Sequence, residues 1–145
     1  TLHIGGSWSA YWHNGYLYST EIARGLDVLE LTPSAFLSAN EIAAARLVQH
    51  EVNNPQNQMR NTWPAHVAVA RAYLDQLVRG NGLAAVRTAA VGASLDAAEK
   101  LSGGARRVAL NKLAAQLSAD AKGAADGARV SAMASAVSEL AMVSK

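Results

Sequence analysis

Residues 8–19 read WSAYWHNGYLYS, a run of aromatic and small residues whose centre is the pair Asn14-Gly15. Asn-Gly is the favoured centre of a two-residue type I′ turn, because both positions of that turn need a positive φ angle. The segment therefore predicts a β-hairpin in which Trp12 lies opposite Leu17 and Tyr11 lies opposite Tyr18.

Strand alternation predicts that both faces of this hairpin are aromatic, because opposite residues share a face and neighbours along a strand do not. The two tryptophans separate from the three tyrosines: one face carries Trp8, Trp12 and Leu17, and the other carries Tyr11, His13, Tyr16 and Tyr18. A small sheet with two apolar faces needs a covering layer on each side. We therefore expect both faces to be packed against other structure.

A third strand is predicted after a turn at Arg24-Gly25, because residues 26–31 alternate, with Leu26, Val28 and Glu30 on one side. Pro33 ends this strand. Residues 1–33 then form a short antiparallel β-meander. Since the chain begins at Thr1 already within a strand-like pattern, we expect it to be the end of a larger β-domain.

The chain after residue 33 is predicted to be helical. Ser38 and Glu41 form a capping box for a first helix that ends near Glu51, and residues 53–58 form a polar loop rich in Asn and Gln. Pro64 is suited to the first position of the next helix. Glycines 80, 82, 103, 104, 123 and 127 separate the later helices.

Apolar residues at helical spacing define the core of this region. They are, helix by helix, Val67, Ala70, Leu74 and Leu77; Leu83, Val86, Ala90, Val91, Leu95, Ala98 and Leu101; Val108, Leu110, Leu113 and Leu117; and Val130, Met133, Val137 and Leu140. The prediction is an α+β fold with two domains: the β-meander of residues 1–33, and an Ala-rich antiparallel bundle of four or five helices over residues 34–145.

Composition narrows the classes of function. The 145 residues carry a net charge of only +2, with cations spread over several helices, so we expect no nucleic-acid partner. The absence of cysteine excludes disulfides and cysteine-based metal sites. No apolar run of about 18 residues occurs, so no membrane span is predicted.

Catalytic patterns are also missing. His50-Glu51 begins like a zinc-protease motif, but no histidine follows four residues after His50. A glycosidase holds two carboxylates about 5–10 Å apart, and the sequence does not place Glu21, Asp27 and Glu30 relative to one another. We therefore predict no enzyme activity, no cofactor and no metal site.

The aromatic hairpin is the candidate binding region. Its candidate residues are Trp8, Tyr11, Trp12, Tyr16 and Tyr18. One interpretation is a platform on which a sugar or a base stacks. The other is packing against neighbouring sheets, in which aromatic side chains supply most of the buried area.

Residues 15–31, GYLYSTEIARGLDVLEL, resemble the last repeat of an LVIVD-repeat protein. That resemblance covers about residues 5–33. It implies a β-propeller blade within a protein exported from a bacterium. One blade cannot close a propeller, so the partner it implies is the upstream propeller part of the same protein, or a propeller fragment.

Residues 67–141 resemble the FIMAH domain, a small helical module at the C-terminus of exported bacterial proteins. The similar segments are residues 73–77, 95–101 and 109–117. Together the resemblances imply a non-catalytic structural or interaction module, extracellular or at the cell surface, with a cell-surface or polysaccharide partner. The alternative is part of a carbohydrate-binding or carbohydrate-active protein whose site lies mainly in missing blades.

Overall fold

The computed structural model describes residues 5–144, so the first four residues of the predicted meander lie outside the described part. Three strands precede five α-helices and one short 3₁₀ turn. The elements are β1 (Ser7–His13), β2 (Tyr16–Glu21), β3 (Gly25–Leu29), α1 (Ala39–Arg46), the 3₁₀ turn Pro55–Asn57, α2 (Val67–Arg79), α3 (Ala85–Glu99), α4 (Gly103–Asp120) and α5 (Gly127–Met142). The predicted α+β class, an antiparallel meander followed by helices, is confirmed.

The chain divides into two compact units. One ends at Pro64 and the other begins at Ala65. We call them the strand unit and the helical unit. The sequence-based division was placed at residues 33 and 34, whereas these contacts group α1 and the Asn-rich loop with the strands. The helical unit accordingly contains four helices, α2 to α5.

The hairpin has the predicted register. Trp12 pairs with Leu17 and Tyr11 pairs with Tyr18, around a turn in which Asn14 has φ 48° and Gly15 has φ 97°. The strands lie in the order β1-β2-β3, and all are antiparallel. The Asn-Gly turn therefore sets the pairing of the whole sheet.

A bulge in β1 changes the predicted position of Trp8. Ser9 pairs with Thr20 and Ser7 pairs with Glu21, so β1 contains one extra residue at this point. A bulge interrupts the alternation of side chains between faces. The prediction that Trp8 shares the face of Trp12 depends on unbroken alternation, which the bulge interrupts between Ser7 and Ser9. The Trp8 side chain is 76% exposed.

Helix α1 begins at the predicted capping box but ends earlier than predicted. The Ser38 hydroxyl accepts from the Glu41 N–H at 3.1 Å, and the Ser38 N–H donates to the Glu41 carboxylate at 2.7 Å. The helix ends at Arg46 rather than near Glu51. Beyond it, the backbone of His50 is held by Asn14, a tertiary contact that replaces another helical turn.

The second helix begins at Val67, so the prediction that Pro64 occupies its first position is wrong. His66 is its N-cap residue, and its Nδ1 accepts from the Ala68 N–H at 3.1 Å. An imidazole nitrogen here performs the capping function that Ser, Thr, Asp or Asn usually supplies.

The core of the helical unit consists of aliphatic side chains from all four helices. The largest fully buried ones are Leu77, Val91, Leu95, Leu110, Leu113, Leu117, Val130, Met133 and Val137. All nine belong to the predicted stripes. The stripes predicted from the sequence also include Val86, Ala90, Leu101 and Val108, which are exposed, so the predicted stripes of α3 and α4 are too wide.

Candidate functional site

One face of the sheet is aromatic and aliphatic. Tyr11, Tyr18 and Val28 form a continuous row across the three strands. Alternation adds the side chains two residues away on each strand. The tyrosine face is defined by Tyr11, His13, Tyr16, Tyr18, Leu26 and Val28.

The tyrosine face is largely uncovered. Tyr11 is 47% exposed and Tyr16 is 46% exposed, while Leu26 and Val28 are 59% and 53% exposed. Tyr18, in the middle of the row, is half-buried. Residues 5–144 leave this face largely open, so the expectation that a neighbouring sheet covers it stays a prediction.

The Asn-rich loop is fastened to the hairpin by side-chain amides. Asn14 Nδ2 donates to the His50 carbonyl at 2.9 Å, and Asn14 Oδ1 accepts from the His50 N–H at 2.8 Å. Asn53 Nδ2 donates to the Trp12 carbonyl at 3.2 Å. His50 Nε2 also lies 3.0 Å from Asn61 Oδ1. These bonds fix the loop against the end of β1.

A shallow open groove of about 470 Å³ lies between the loop and the tyrosine face. We call it the amide groove; its lining residues are Tyr11, His13, Tyr18, Asn53, Asn54, Pro55 and Gln56. The ring centroids of His13 and Tyr18 are 6.3 Å apart, with a 54° tilt between the rings. The two rings and the loop thus form adjoining walls.

The polar groups that line this groove are only partly hydrogen-bonded to the described residues. His13 Nδ1 is buried and has no hydrogen-bond partner among the described residues. Asn54 uses its Oδ1 to accept from the Gln56 N–H at 3.0 Å. A buried polar atom without a partner costs free energy, and because the His13 nitrogen has almost no exposed surface, a ligand in the open groove does not reach it.

The five predicted binding residues do not form one site. Tyr11 and Tyr18 line the amide groove. Trp12 lines an adjoining cleft of about 130 Å³, which shares His13, Asn53, Asn54 and Pro55 with the amide groove. Tyr16 and Trp8 line neither. The predicted platform is therefore divided between two places.

Sequence reasoning missed the loop side of the groove. Asn53, Asn54 and Gln56 belong to a stretch for which the sequence predicts only a polar loop. The available signal was the unusual concentration of side-chain amides over residues 53–58. Nothing in a single sequence indicates that this loop folds back onto a hairpin almost forty residues earlier.

The outer edge of β3 has no partner. The Trp12 carbonyl accepts a hydrogen bond from Asn53, so it points away from β2. In an antiparallel sheet, residue pairs that exchange backbone hydrogen bonds alternate along the strands with pairs that do not. By this alternation the backbone groups of Leu26 and Val28 point outward. Within residues 5–144, no hydrogen bond reaches these outward groups.

Glu21 is a structural carboxylate at the turn between β2 and β3. It accepts from the N–H groups of Gly6 at 2.7 Å, Ala23 at 2.8 Å and Arg24 at 2.7 Å. The hydrogen bond from Gly6, followed by that from Arg24, lowers the pKa of Glu21 below its ordinary value. A carboxylate whose acceptors are occupied by backbone donors holds the turn together and is poorly suited to proton transfer.

The described part of the chain contains no group of three His, Asp or Glu side chains that could hold a metal ion. It also contains no helix with the length and apolar character needed to cross a membrane.

Comparison of the chain with protein-family models, curated proteins and solved structures finds no match. The resemblances to the LVIVD repeat and to the FIMAH domain accordingly stay predictions.

Proposed function

We propose that this chain is a non-catalytic interaction module whose β3 edge pairs with a strand of another β-structure. The partner is the upstream propeller part of an exported bacterial protein, or a fragment of it, at the cell surface or outside the cell. The observation that carries the proposal is the open outer edge of β3, which lies beside an uncovered apolar face.

An open edge is a template for strand addition. Unpaired N–H and C=O groups on an edge strand can pair with another strand unless charges, proline or a bulge prevent the pairing. On β3 the only charged side chain is Asp27, which forms an ion pair with Arg24 at 2.7 Å. The outward-facing positions, Leu26 and Val28, carry aliphatic side chains and intact N–H groups.

The opposite edge of the sheet is a poorer docking strand. Asn53 already occupies the Trp12 carbonyl, and the bulge at Trp8 distorts the ladder further along β1. Bulges are a common means of blocking strand addition. We therefore assign the pairing to β3.

The test is light scattering on material purified natively from the cells that produce it, with mass spectrometry of every co-eluting polypeptide. We expect a companion composed of β-repeats to elute with the wild-type chain. A chain that runs alone as a compact monomer contradicts the proposal.

Edge variants identify the contact. Val28→Pro removes an outward N–H and leaves the ladder to β2 intact, because proline is tolerated on edge strands where the N–H faces away. Val28→Thr retains the N–H and is the matched control. The companion should be lost from Val28→Pro, and from Leu26→Pro if the first variant folds poorly. Retention of the companion by both proline variants excludes the β3 edge.

A further inference from the structure

The amide groove is chemically distinct from the β3 edge. Among its lining residues there is no Lys, Arg, Asp or Glu. Its walls are tyrosine and histidine rings on one side and side-chain amides on the other. An uncharged groove of this composition fits a ligand that has both a C–H surface and many hydroxyls.

We infer that the amide groove binds a neutral saccharide. A pyranose ring offers an apolar C–H face, which packs on an aromatic ring, and hydroxyls at its rim that both donate and accept. Tyr11 supplies an exposed ring on the edge strand of the hairpin. Asn54 Nδ2 and the Gln56 amide supply donors and an acceptor that no hydrogen bond with described residues uses.

His13 contributes its ring to the groove wall and not a polar contact. Its Nδ1 is buried beside the ring of Tyr18, so a ligand in the groove meets the ring and not this nitrogen. The polar groups that a sugar hydroxyl reaches are the exposed amides of Asn54 and Gln56.

The loop wall of the groove is fastened in place before any ligand arrives. The paired hydrogen bonds between Asn14 and the His50 backbone, with the bond from Asn53 to Trp12, hold the loop at its present distance from the hairpin. Preorganisation of this kind reduces the entropy cost of binding. The absence of cations makes phosphate-bearing ligands, including nucleic acids, a poor fit.

The experiment is an NMR titration of the full ¹⁵N-labelled chain with soluble cello-, malto-, xylo-, manno- and chito-oligosaccharides at millimolar concentration. We expect at least one to shift the side-chain NH₂ signals of Asn54 and Gln56. No shift of these signals with any of the five sugars overturns the inference. The inference is also overturned if single-stranded DNA, and none of the sugars, shifts the signals of Asn54 and Gln56.

Two tyrosines provide a matched comparison, since Tyr11 and Tyr16 are exposed to nearly the same extent on the same face, and only Tyr11 lines the groove. Tyr11→Ala should weaken saccharide binding by about tenfold, a loss of about 1.4 kcal/mol. Tyr16→Ala should change it by less than about twofold. Equal weakening by the two variants contradicts a groove site.

Gln56→Ala is a second test that does not depend on the stability of the sheet, because Gln56 lies in the exposed 3₁₀ turn. It should reduce the affinity while the hairpin signals stay unchanged. Val28→Pro should leave the saccharide affinity unchanged. The proposal of saccharide binding and the proposal of strand pairing at β3 can therefore be refuted independently of each other.

Discussion

The two units of this chain are stabilised by different interactions. In the helical unit, nine large aliphatic side chains from four helices are fully buried. Among the described residues of the strand unit, the buried apolar ones are Ile42, Ala44 and Val48, and the sheet itself buries Ser19 and Glu21. The helical unit therefore depends on apolar burial, and the strand unit depends on a few polar side chains that bond to the backbone.

This difference explains where partners are expected. The helical unit buries its large core side chains by itself, although Val86, Val108 and Met142 stay exposed on its surface. A three-stranded sheet that leaves one face and one edge uncovered gains both burial and hydrogen bonds when a partner arrives. The distribution of buried surface thus supports binding by the strand unit.

The substitution with the largest expected effect on stability is Leu117→Ala in the helical unit. Leu117 is fully buried in α4, so its truncation should lower the unfolding free energy of the helical unit by about 2–5 kcal/mol. Helical circular dichroism follows this unit, whereas all three tryptophans, Trp8, Trp12 and Trp63, precede Ala65 and report on the strand unit by fluorescence.

The control is Val108→Ala, an exposed position on the same helix, which should change stability by less than about 0.5 kcal/mol. For Leu117→Ala the circular dichroism transition should move while the tryptophan transition stays. If both transitions move equally, the two units unfold together, and the contrast between their sources of stability is contradicted.

The second-largest effect on stability is expected where two backbone segments of the helical unit lie close together, at Gly127 and Ala121. A Cβ added at Gly127 would lie 2.5 Å from the Ala121 carbonyl oxygen, whereas one at Gly104 meets nothing within 4 Å. Gly127→Ala should destabilise the helical unit by about 1–3 kcal/mol through this clash. Gly104→Ala is the matched control and should be neutral or stabilising by up to about 1 kcal/mol. Thermal unfolding by circular dichroism distinguishes them; loss of stability in Gly104→Ala contradicts this explanation.

Local signals in the sequence were sufficient for the individual elements. Asn14-Gly15 predicted the turn and hence the register, and Ser38 with Glu41 predicted the start of α1, because each signal acts within a few residues. The helical core also follows from 3.6-residue spacing. Long, periodic segments are where sequence reasoning is most reliable.

Tertiary contacts account for what the sequence did not predict. The groove depends on Asn14 and Asn53 reaching the backbone across about forty residues, and no local rule relates those positions. The early end of α1 has the same cause. Helix α2 was predicted to begin at Pro64 because proline suits a first position, but the chain uses His66 as a cap two residues later.

Asn14 tests how strongly polar contacts hold the strand unit. Asn14→Gly keeps a residue that tolerates φ 48° and removes both hydrogen bonds to His50. We expect the strand unit to lose about 1–2 kcal/mol, because each bond contributes about 0.5–1.5 kcal/mol net. Tryptophan fluorescence during urea unfolding measures the loss.

Asn14→Asp sharpens this result. It retains the acceptor for the His50 N–H and removes the donor to the His50 carbonyl, so its effect should lie between those of wild type and Asn14→Gly. If Asn14→Gly is as stable as wild type, the side-chain bonds do not hold the loop.

The smallest expected effect is the pH dependence of the sheet, which Glu21 should control. Because folding lowers the pKa of Glu21, its stabilisation is complete above the unfolded pKa of about 4.3 and is lost as the pH falls through the lower folded value. The tryptophan transition of the wild type should therefore weaken between about pH 5 and pH 3. Glu21→Gln should be less stable at neutral pH, because an amide cannot accept from three backbone donors as a carboxylate does.

The stability of the Glu21→Gln variant should change less with acidification than the stability of the wild type. Glu51→Gln removes a carboxylate from an exposed position of the same unit and should keep the wild-type dependence. If Glu21→Gln and Glu51→Gln respond to pH alike, the acid sensitivity of the sheet arises elsewhere, and the polar side of the contrast between the two units loses one of its main supports.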